Sequence, residues 1–88
     1  MGSIHPRLQA TLQAVRPGAR VAVLVRTRHP VTGTTLRDAH AAGAGTVSYV
    51  STTTNLYATT ADAATAQRLA ALPETIEVLP DDPTQQAP

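Results

Sequence analysis

Hydrophobic and polar positions alternate most regularly over residues 20–28 of the chain. Val21, Val23 and Val25 occupy every second position there, and a more mixed set of residues separates them. A period of two in a segment rich in β-branched side chains is typical of a β-strand, whose successive side chains point to opposite faces of the sheet. The pattern therefore predicts a strand over 20–28 with the three valines on one face.

A helical period marks the N-terminal segment, residues 5–15. Leu8, Leu12 and Val15 are spaced so that they lie on one face of a helix. Pro6 suits the first helical position, where its missing N–H is not needed by the helix. The segment is therefore predicted to be a short helix.

The rest of the chain divides into further helices and strands by the same criteria. The predicted elements are a helix over 36–42 capped by Thr35, strands over 46–50 and 56–60 joined by a polar hairpin loop, a helix capped by Thr60 that ends before Pro73, and a strand over 76–79. Residues 80–88 contain three prolines and no large apolar side chain, so an extended tail is expected over 81–88.

The order strand, helix, strand, strand, helix, strand is that of a split βαβ, or ferredoxin-like, domain. Both helices of such a domain cross the same face of an antiparallel sheet. We therefore predict an α+β, ferredoxin-like two-layer sandwich with a four-stranded antiparallel sheet and an extra short N-terminal helix. The expected boundaries are a helical extension over 1–19, the ferredoxin-like domain over 20–80 and the extended tail over 81–88.

The two faces of the predicted sheet differ in what covers them. With the valines of the first strand facing the helices, parity assigns six further residues to the core: Val47, Tyr49, Leu56, Ala58, Ile76 and Val78. Leu24, Val50, Tyr57 and Leu79 then form an apolar patch on the other face. An exposed apolar patch usually marks an interface, so we expect a partner protein there. Two alternatives stay open, in which the N-terminal helix folds across this face or a second copy of the chain covers it.

Composition narrows the classes of function. The chain has 88 residues, of which 42% are hydrophobic and 15% charged, which indicates one small globular domain. Alanine, valine and leucine supply nearly all of the apolar content, so marginal stability without a partner is expected. The seven arginines are spread along the chain and balanced by six carboxylates, which argues against a nucleic-acid partner. No apolar run is long enough for a membrane span or a secretory leader, so no membrane partner and a cytoplasmic location are expected.

The residues that could support catalysis or metal binding lack the spacing that such chemistry requires. His5, His29 and His40 fall on three different predicted elements, and the chain has no cysteine to complete a metal site. The serines lack the strand-to-helix turn of a nucleophile, and the glycines of residues 43–46 lack the continuation of a phosphate loop. We therefore expect no enzyme activity, no metal and no cofactor.

Three stretches together resemble a known family. They are Arg-Val-Ala-Val-Leu-Val at 20–25, Asn-Leu-Tyr-Ala-Thr-Thr-Ala-Asp at 55–62, and the run from 67 to 82 in which a helix ends in Ala-Leu-Pro and a short apolar strand closes with Asp81 and Asp82. In this order they resemble the propeptide-like inhibitors of subtilisin-type serine proteases, whose free propeptides also act as folding chaperones. The resemblance covers about residues 20–88 and leaves the N-terminal helix unexplained.

The resemblance implies a binding mode. Members of this family dock the open sheet face on two surface helices of the protease, and acidic residues after the last strand cap the N-termini of those helices. Asp81 and Asp82 match these capping positions. The extended tail would enter the substrate cleft, and its residues here are Pro83, Thr84, Gln85, Gln86, Ala87 and Pro88.

The prolines of this tail depart from the family pattern. Pro83 has no N–H for strand pairing, and proline is a poor residue beside a scissile bond. Two interpretations remain open: a chain ending at Pro88 presents a product-like carboxylate with nothing to cut, or the tail stays out of the cleft and only the sheet binds.

The sequence therefore predicts a non-enzymatic protein that inhibits, or assists the folding of, a subtilisin-like serine protease. The alternative is a small ligand-sensing or oligomerising ferredoxin-like module, with a homodimer formed through the sheet. Slowed peptide cleavage by a subtilisin-type protease distinguishes the first from the second.

Overall fold

The structure is a computed structural model and describes residues 2–81 of the chain. In chain order this part forms β1 (Ser3–Ile4), α1 (Pro6–Ala14), β2 (Val21–Thr27), α2 (Gly33–Ala41), β3 (Tyr49–Ser51), β4 (Leu56–Ala61), α3 (Ala63–Ala71) and β5 (Thr75–Pro80). The hydrophobic pattern predicts each of these elements except β1, with differences in the bounds. Asp82 and the tail residues Pro83–Pro88 lie outside the described part of the chain.

The strands form one mixed sheet in the order β1-β5-β2-β4-β3. β1 runs parallel to β5, and the other neighbouring strands are antiparallel. The prediction of an α+β protein is confirmed, but the prediction of four strands is wrong, because residues 2–81 form five. The extra strand is β1, in which Ser3 lies opposite Glu77 and Ile4 opposite Val78. A strand of two residues is too short to show an alternating pattern in the sequence.

Helix α1 is confirmed as a helix and contributes to the common core. The Nδ1 atom of the capping residue His5 accepts a hydrogen bond from the Arg7 N–H at 3.1 Å, and Pro6 takes the first helical position. Leu8 is completely buried in the same cluster as Val23 and Leu69. Because α1 packs on the side of the sheet that α3 covers, the alternative in which it folds across the other face is wrong.

Helix α2 begins earlier than the sequence predicts. Its cap is Thr32 and not Thr35, which lies inside the first turn. The two threonines form a reciprocal capping box: the Thr35 N–H donates to the Thr32 hydroxyl at 3.3 Å, and the Thr32 N–H donates to the Thr35 hydroxyl at 3.1 Å. Gly33, a poor helix former, takes the first helical position. The capping box stabilises a helix start there.

Helix α3 begins after Asp62, and the prediction that Thr60 caps it is wrong. Strand β4 continues to Ala61, so Thr60 is still part of the sheet. The Thr65 N–H donates to the Asp62 carboxylate at 2.8 Å. This hydrogen bond, aided by the charges of Arg20 and Arg68, holds the pKa of Asp62 below its usual range.

The register between β2 and β4 reverses the predicted faces of β4. Tyr57 lies opposite Val25, which is completely buried, and Tyr57 itself is only 1% exposed. Leu56 and Ala58 therefore point to the other face, where Leu56 is partly buried and Ala58 is only 3% exposed. The prediction that they face the helices is wrong, although Ala58 is buried. The sequence predicts that Leu56 and Ala58 face the helices, whereas in the structure the bulkier ring of Tyr57 faces them.

Two further core assignments are also wrong, and one is confirmed. Tyr49 is 57% exposed and Ile76 is 39% exposed, whereas Val78 is completely buried as predicted. Ile76 is not in the core because the β2–β5 register shifts between Arg26 and Thr27. As a result Thr75, and not Ile76, is buried. Val47 is partly buried and packs against the core.

Candidate functional site

Within residues 2–81, the helices pack on one face of the sheet and leave the other open. Leu8 of α1, Ala39 of α2 and Leu69 of α3 all belong to the single core cluster that includes Val25. We call the opposite side of the sheet the open face. It carries the side chains that alternate with the buried valines of β2, beginning with Leu24.

A row of apolar side chains crosses four strands on the open face. Tyr49 of β3 lies opposite Ala58 of β4, Ala58 lies opposite Leu24 of β2, and Leu24 lies opposite Leu79 of β5. We call these four residues the central row. The ring of Tyr49 is more than half exposed, and Leu24 and Leu79 are half-buried. Ala58, which lies between Tyr49 and Leu24, is only 3% exposed, so the apolar surface that solvent reaches in the central row comes from Tyr49, Leu24 and Leu79.

The next row on the same face is more polar. It contains Leu56 opposite Arg26, and Arg26 opposite Glu77. The guanidinium of Arg26 and the carboxylate of Glu77 are 3.9 Å apart, and both side chains are accessible to solvent. A solvent-exposed ion pair of this kind contributes little to stability, typically about 0–1 kcal/mol. An apolar centre with a charged rim is the usual composition of a protein–protein interface.

A shallow cavity of about 410 Å³ lies on the open face. Its walls include Leu24, Tyr49 and Leu56 from the sheet and Asp81 from the first position after β5. The Asp81 N–H donates to the Ala22 carbonyl oxygen at 3.1 Å, which continues the strand pairing by one residue. Asp81 therefore lies at the border of the apolar surface, directly after the last residue of β5.

The predicted contact residues of the sheet divide between its two faces. Leu24 and Leu79 lie on the open face. The predicted position of Tyr57 on that face is wrong, because its ring is buried in the core. Val50 lies opposite Tyr57 and so belongs to the helix side of the sheet, although its place in an edge strand leaves it 40% exposed.

Tyr49 and Leu56 are residues of the open face that the sequence prediction missed. Parity along each predicted strand places both in the core, Tyr49 together with Val47 and Leu56 together with Ala58. The opposite assignment of β4, with Tyr57, Thr59 and Ala61 facing the helices, places Leu56 on the open face. Tyr49 is then on the open face as well, because it lies opposite Ala58. The signal that favours this assignment of β4 is the larger apolar area of the tyrosine ring, which gains more from burial.

The described part of the chain offers no metal site and no membrane span. Residues 2–81 contain no group of three or more His, Cys, Asp or Glu side chains that is placed to hold a metal ion. No helix in this range is both long and apolar enough to cross a bilayer.

Comparison of the chain with protein-family models, with curated proteins and with solved structures finds no match.

Proposed function

We propose that this chain is a protein-binding domain that inhibits, or assists the folding of, a subtilisin-like serine protease by docking its open face on the enzyme. The observation that carries the proposal is the central row, an apolar surface that no helix of residues 2–81 covers. As part of the same proposal, β2 to β5 constitute a ferredoxin-like unit, since their order β5-β2-β4-β3 and their two intervening helices suit that fold. In this unit β1 and α1 are N-terminal additions.

The carboxylates after β5 supply the second part of the proposed contact. Asp81 borders the cavity of the open face, so a partner that covers the central row also meets this carboxylate. The N-terminus of a helix presents unpaired N–H groups and a partial positive charge, which a carboxylate stabilises by about 0.3–2 kcal/mol. Asp81 and Asp82 are therefore proposed to cap helices of the protease, and Pro83–Pro88 to enter its substrate cleft.

Inhibition and assisted folding follow from the same binding energy. A domain that binds only the folded protease stabilises it by mass action. If the bound tail also occupies the substrate cleft, the same complex slows hydrolysis of other substrates. One binding surface thus accounts for both roles.

The proposal is tested by adding the full chain to a purified subtilisin-type protease and following hydrolysis of a chromogenic peptide. We expect hydrolysis to slow at near-stoichiometric concentrations. Leu24→Arg places an unpaired charge in the centre of the contact and should weaken inhibition at least about tenfold. Ala64→Arg is the matched control, because Ala64 is exposed on α3 and lies away from the open face.

Further variants separate the sheet from the tail. Removal of residues 83–88 should weaken inhibition, and Asp82→Ala should weaken it while leaving the circular dichroism spectrum of the domain unchanged. If the full chain slows no protease in a panel of subtilisin-type enzymes and elutes as a dimer that Leu24→Arg dissociates, the proposal is wrong and the open face joins two copies of the chain.

A further inference from the structure

A cavity of about 430 Å³ lies away from the central row, between the end of β2, helix α2 and the turn that joins α3 to β5. His29 contributes from the segment after β2, and Asp38 from the second turn of α2. Leu72, Pro73 and Glu74 contribute from the turn before β5. Its volume falls within the range of small-molecule sites, and like them it combines apolar walls with a few polar groups.

The Tyr57 side chain forms part of the cavity wall and has an unusual hydroxyl. Tyr57 is 1% exposed, and its hydroxyl has no hydrogen-bond partner within residues 2–81. Burial, together with the charge of Asp38, raises the pKa of Tyr57 to about 12. The phenol is therefore neutral at physiological pH and is able both to donate and to accept a hydrogen bond. A buried hydroxyl without a partner is uncommon in folded proteins, and a bound polar group would satisfy it.

The charge of the cavity is negative. The Asp38 carboxylate makes no hydrogen bond or ion pair with the rest of the described chain, and it acts electrostatically on the Tyr57 hydroxyl. The Glu74 carboxylate is 2.7 Å from the His29 Nδ1 atom. No arginine forms part of the cavity wall within residues 2–81. Arg68 shares a neighbouring groove with Asp38 and forms no ion pair with it.

We propose that this cavity binds a small organic cation, an amine with an apolar body. Its ammonium group donates hydrogen bonds to the Asp38 carboxylate and to the Tyr57 hydroxyl oxygen. Its apolar part packs on Leu72 and Pro73. A cation suits the site because it pairs with Asp38, which has no hydrogen bond or ion pair within residues 2–81, and also satisfies the buried phenol. An anion would be repelled by Asp38. The site is independent of the proposed protease contact, which lies on the open face.

The test uses three probes of nearly equal size and different charge: benzylamine, benzyl alcohol and benzoate. Each is titrated into the full chain at neutral pH while backbone amide chemical shifts are followed by NMR. Benzylamine should shift the amides of the α2 segment and of the Leu72–Thr75 turn with a saturable curve. Benzyl alcohol should bind about tenfold more weakly, because it lacks the charge-assisted hydrogen bond. Benzoate should bind most weakly of the three.

Variants distinguish this site from general attraction of cations. Asp38→Asn should weaken benzylamine binding about tenfold and should bring its affinity close to that of benzyl alcohol. Tyr57→Phe should weaken it by a smaller factor, while the amide spectrum stays that of a folded protein. Glu77→Gln removes a carboxylate on the open face and is the matched control, which should leave benzylamine binding unchanged.

The proposal is overturned by any of three results. These are no saturable shifts with benzylamine up to its solubility limit, equal or tighter binding of benzoate, or shifts that are unaffected by Asp38→Asn. Because Leu24→Arg leaves the cavity intact, benzylamine binding by that variant should match the unsubstituted chain whether or not the chain inhibits a protease.

Discussion

Tyr57 lies directly opposite Val25 across the β2–β4 pair, so its phenol ring is in the core on the helix side of the sheet. This relationship determines the composition of both faces. It turns Leu56 and Ala58 outward, and it buries a hydroxyl that finds no partner within residues 2–81. The same side chain thus limits stability, forms part of a cavity wall and leaves the open face to Leu24 and Tyr49.

Replacement of Tyr57 by phenylalanine should raise the free energy of unfolding by about 1 kcal/mol, because the buried hydroxyl loses its hydrogen bond to water on folding and gains none in exchange. Urea denaturation followed by circular dichroism measures the change. Tyr57→Ala is the comparison and should lower the free energy of unfolding by about 3–5 kcal/mol through loss of the ring. A clear loss of stability in Tyr57→Phe would mean that the hydroxyl is satisfied, for example by a bound water.

Stability should also depend on pH in the alkaline range. The pKa of Tyr57 is raised to about 12 in the folded protein, against about 10 for an unfolded chain. Between these values the unfolded state binds fewer protons than the folded state, so the free energy of unfolding falls as pH rises. The stabilisation is fully present below about pH 10, and the slope is at most about 1.4 kcal/mol per pH unit.

The measurement is urea denaturation at a series of pH values, with Tyr57→Phe as the control that lacks this titration. In Tyr49→Phe, Tyr57 is the one remaining tyrosine, and its ionisation can be followed directly by ultraviolet absorbance. Ionisation near pH 10 in the folded Tyr49→Phe protein would contradict the burial of the phenol.

Leu8→Ala should lower the free energy of unfolding by about 2–5 kcal/mol, because Leu8 is completely buried in the core although it belongs to the first fifteen residues. Leu12→Ala, at a half-buried position of the same helix, should cost clearly less. Thermal unfolding measures both. If Leu8→Ala leaves the main transition unchanged, residues 1–19 behave as the separate extension that the sequence predicts.

Gly43→Ala should destabilise the protein more than Gly18→Ala. Both glycines have a positive φ, of 105° and 82°, so alanine is strained at either position by about 1–2 kcal/mol. Only at Gly43 would the added Cβ also meet a neighbour, the Thr65 hydroxyl oxygen at 2.9 Å. This contact should add about 1–3 kcal/mol, because the packed side chain has to move. If the two variants lose the same free energy of unfolding, the Thr65 side chain moves away from the added Cβ at little cost.

The sequence predicts well those elements in which the hydrophobic residues repeat regularly within the element itself. The alternating valines of β2 and the leucine spacing of α1 are each contained in a short window, and the structure confirms both elements. Errors of a few residues occur where two polar residues compete to cap a helix. The sequence predicts Thr35 and Thr60 as caps, whereas the structure has Thr32 and Asp62 in these positions. Which residue caps a helix depends on where the preceding segment ends, and a local window does not contain that information.

The candidate site is less predictable than the elements that carry it. Leu24 follows directly from the alternation in β2. Tyr49 and Leu56 do not, because their face depends on how β4 pairs with β2. A shift of one residue in that register moves every side chain of the strand to the opposite face.

The sequence by itself determined that the chain is a small α+β protein with a valine-rich central strand. It also determined that Leu24, which lies between two core valines of that strand, points to the opposite face of the sheet. These features depend on periods of two and of about four residues, which a chain shows before it folds. Only the tertiary structure decided that Ser3 and Ile4 add a strand, that Tyr57 is inside and Tyr49 outside, and that Asp38 and Tyr57 share a cavity. Each of these depends on contact between residues far apart in the chain, and strand register and helix packing establish such contacts only when the whole domain assembles.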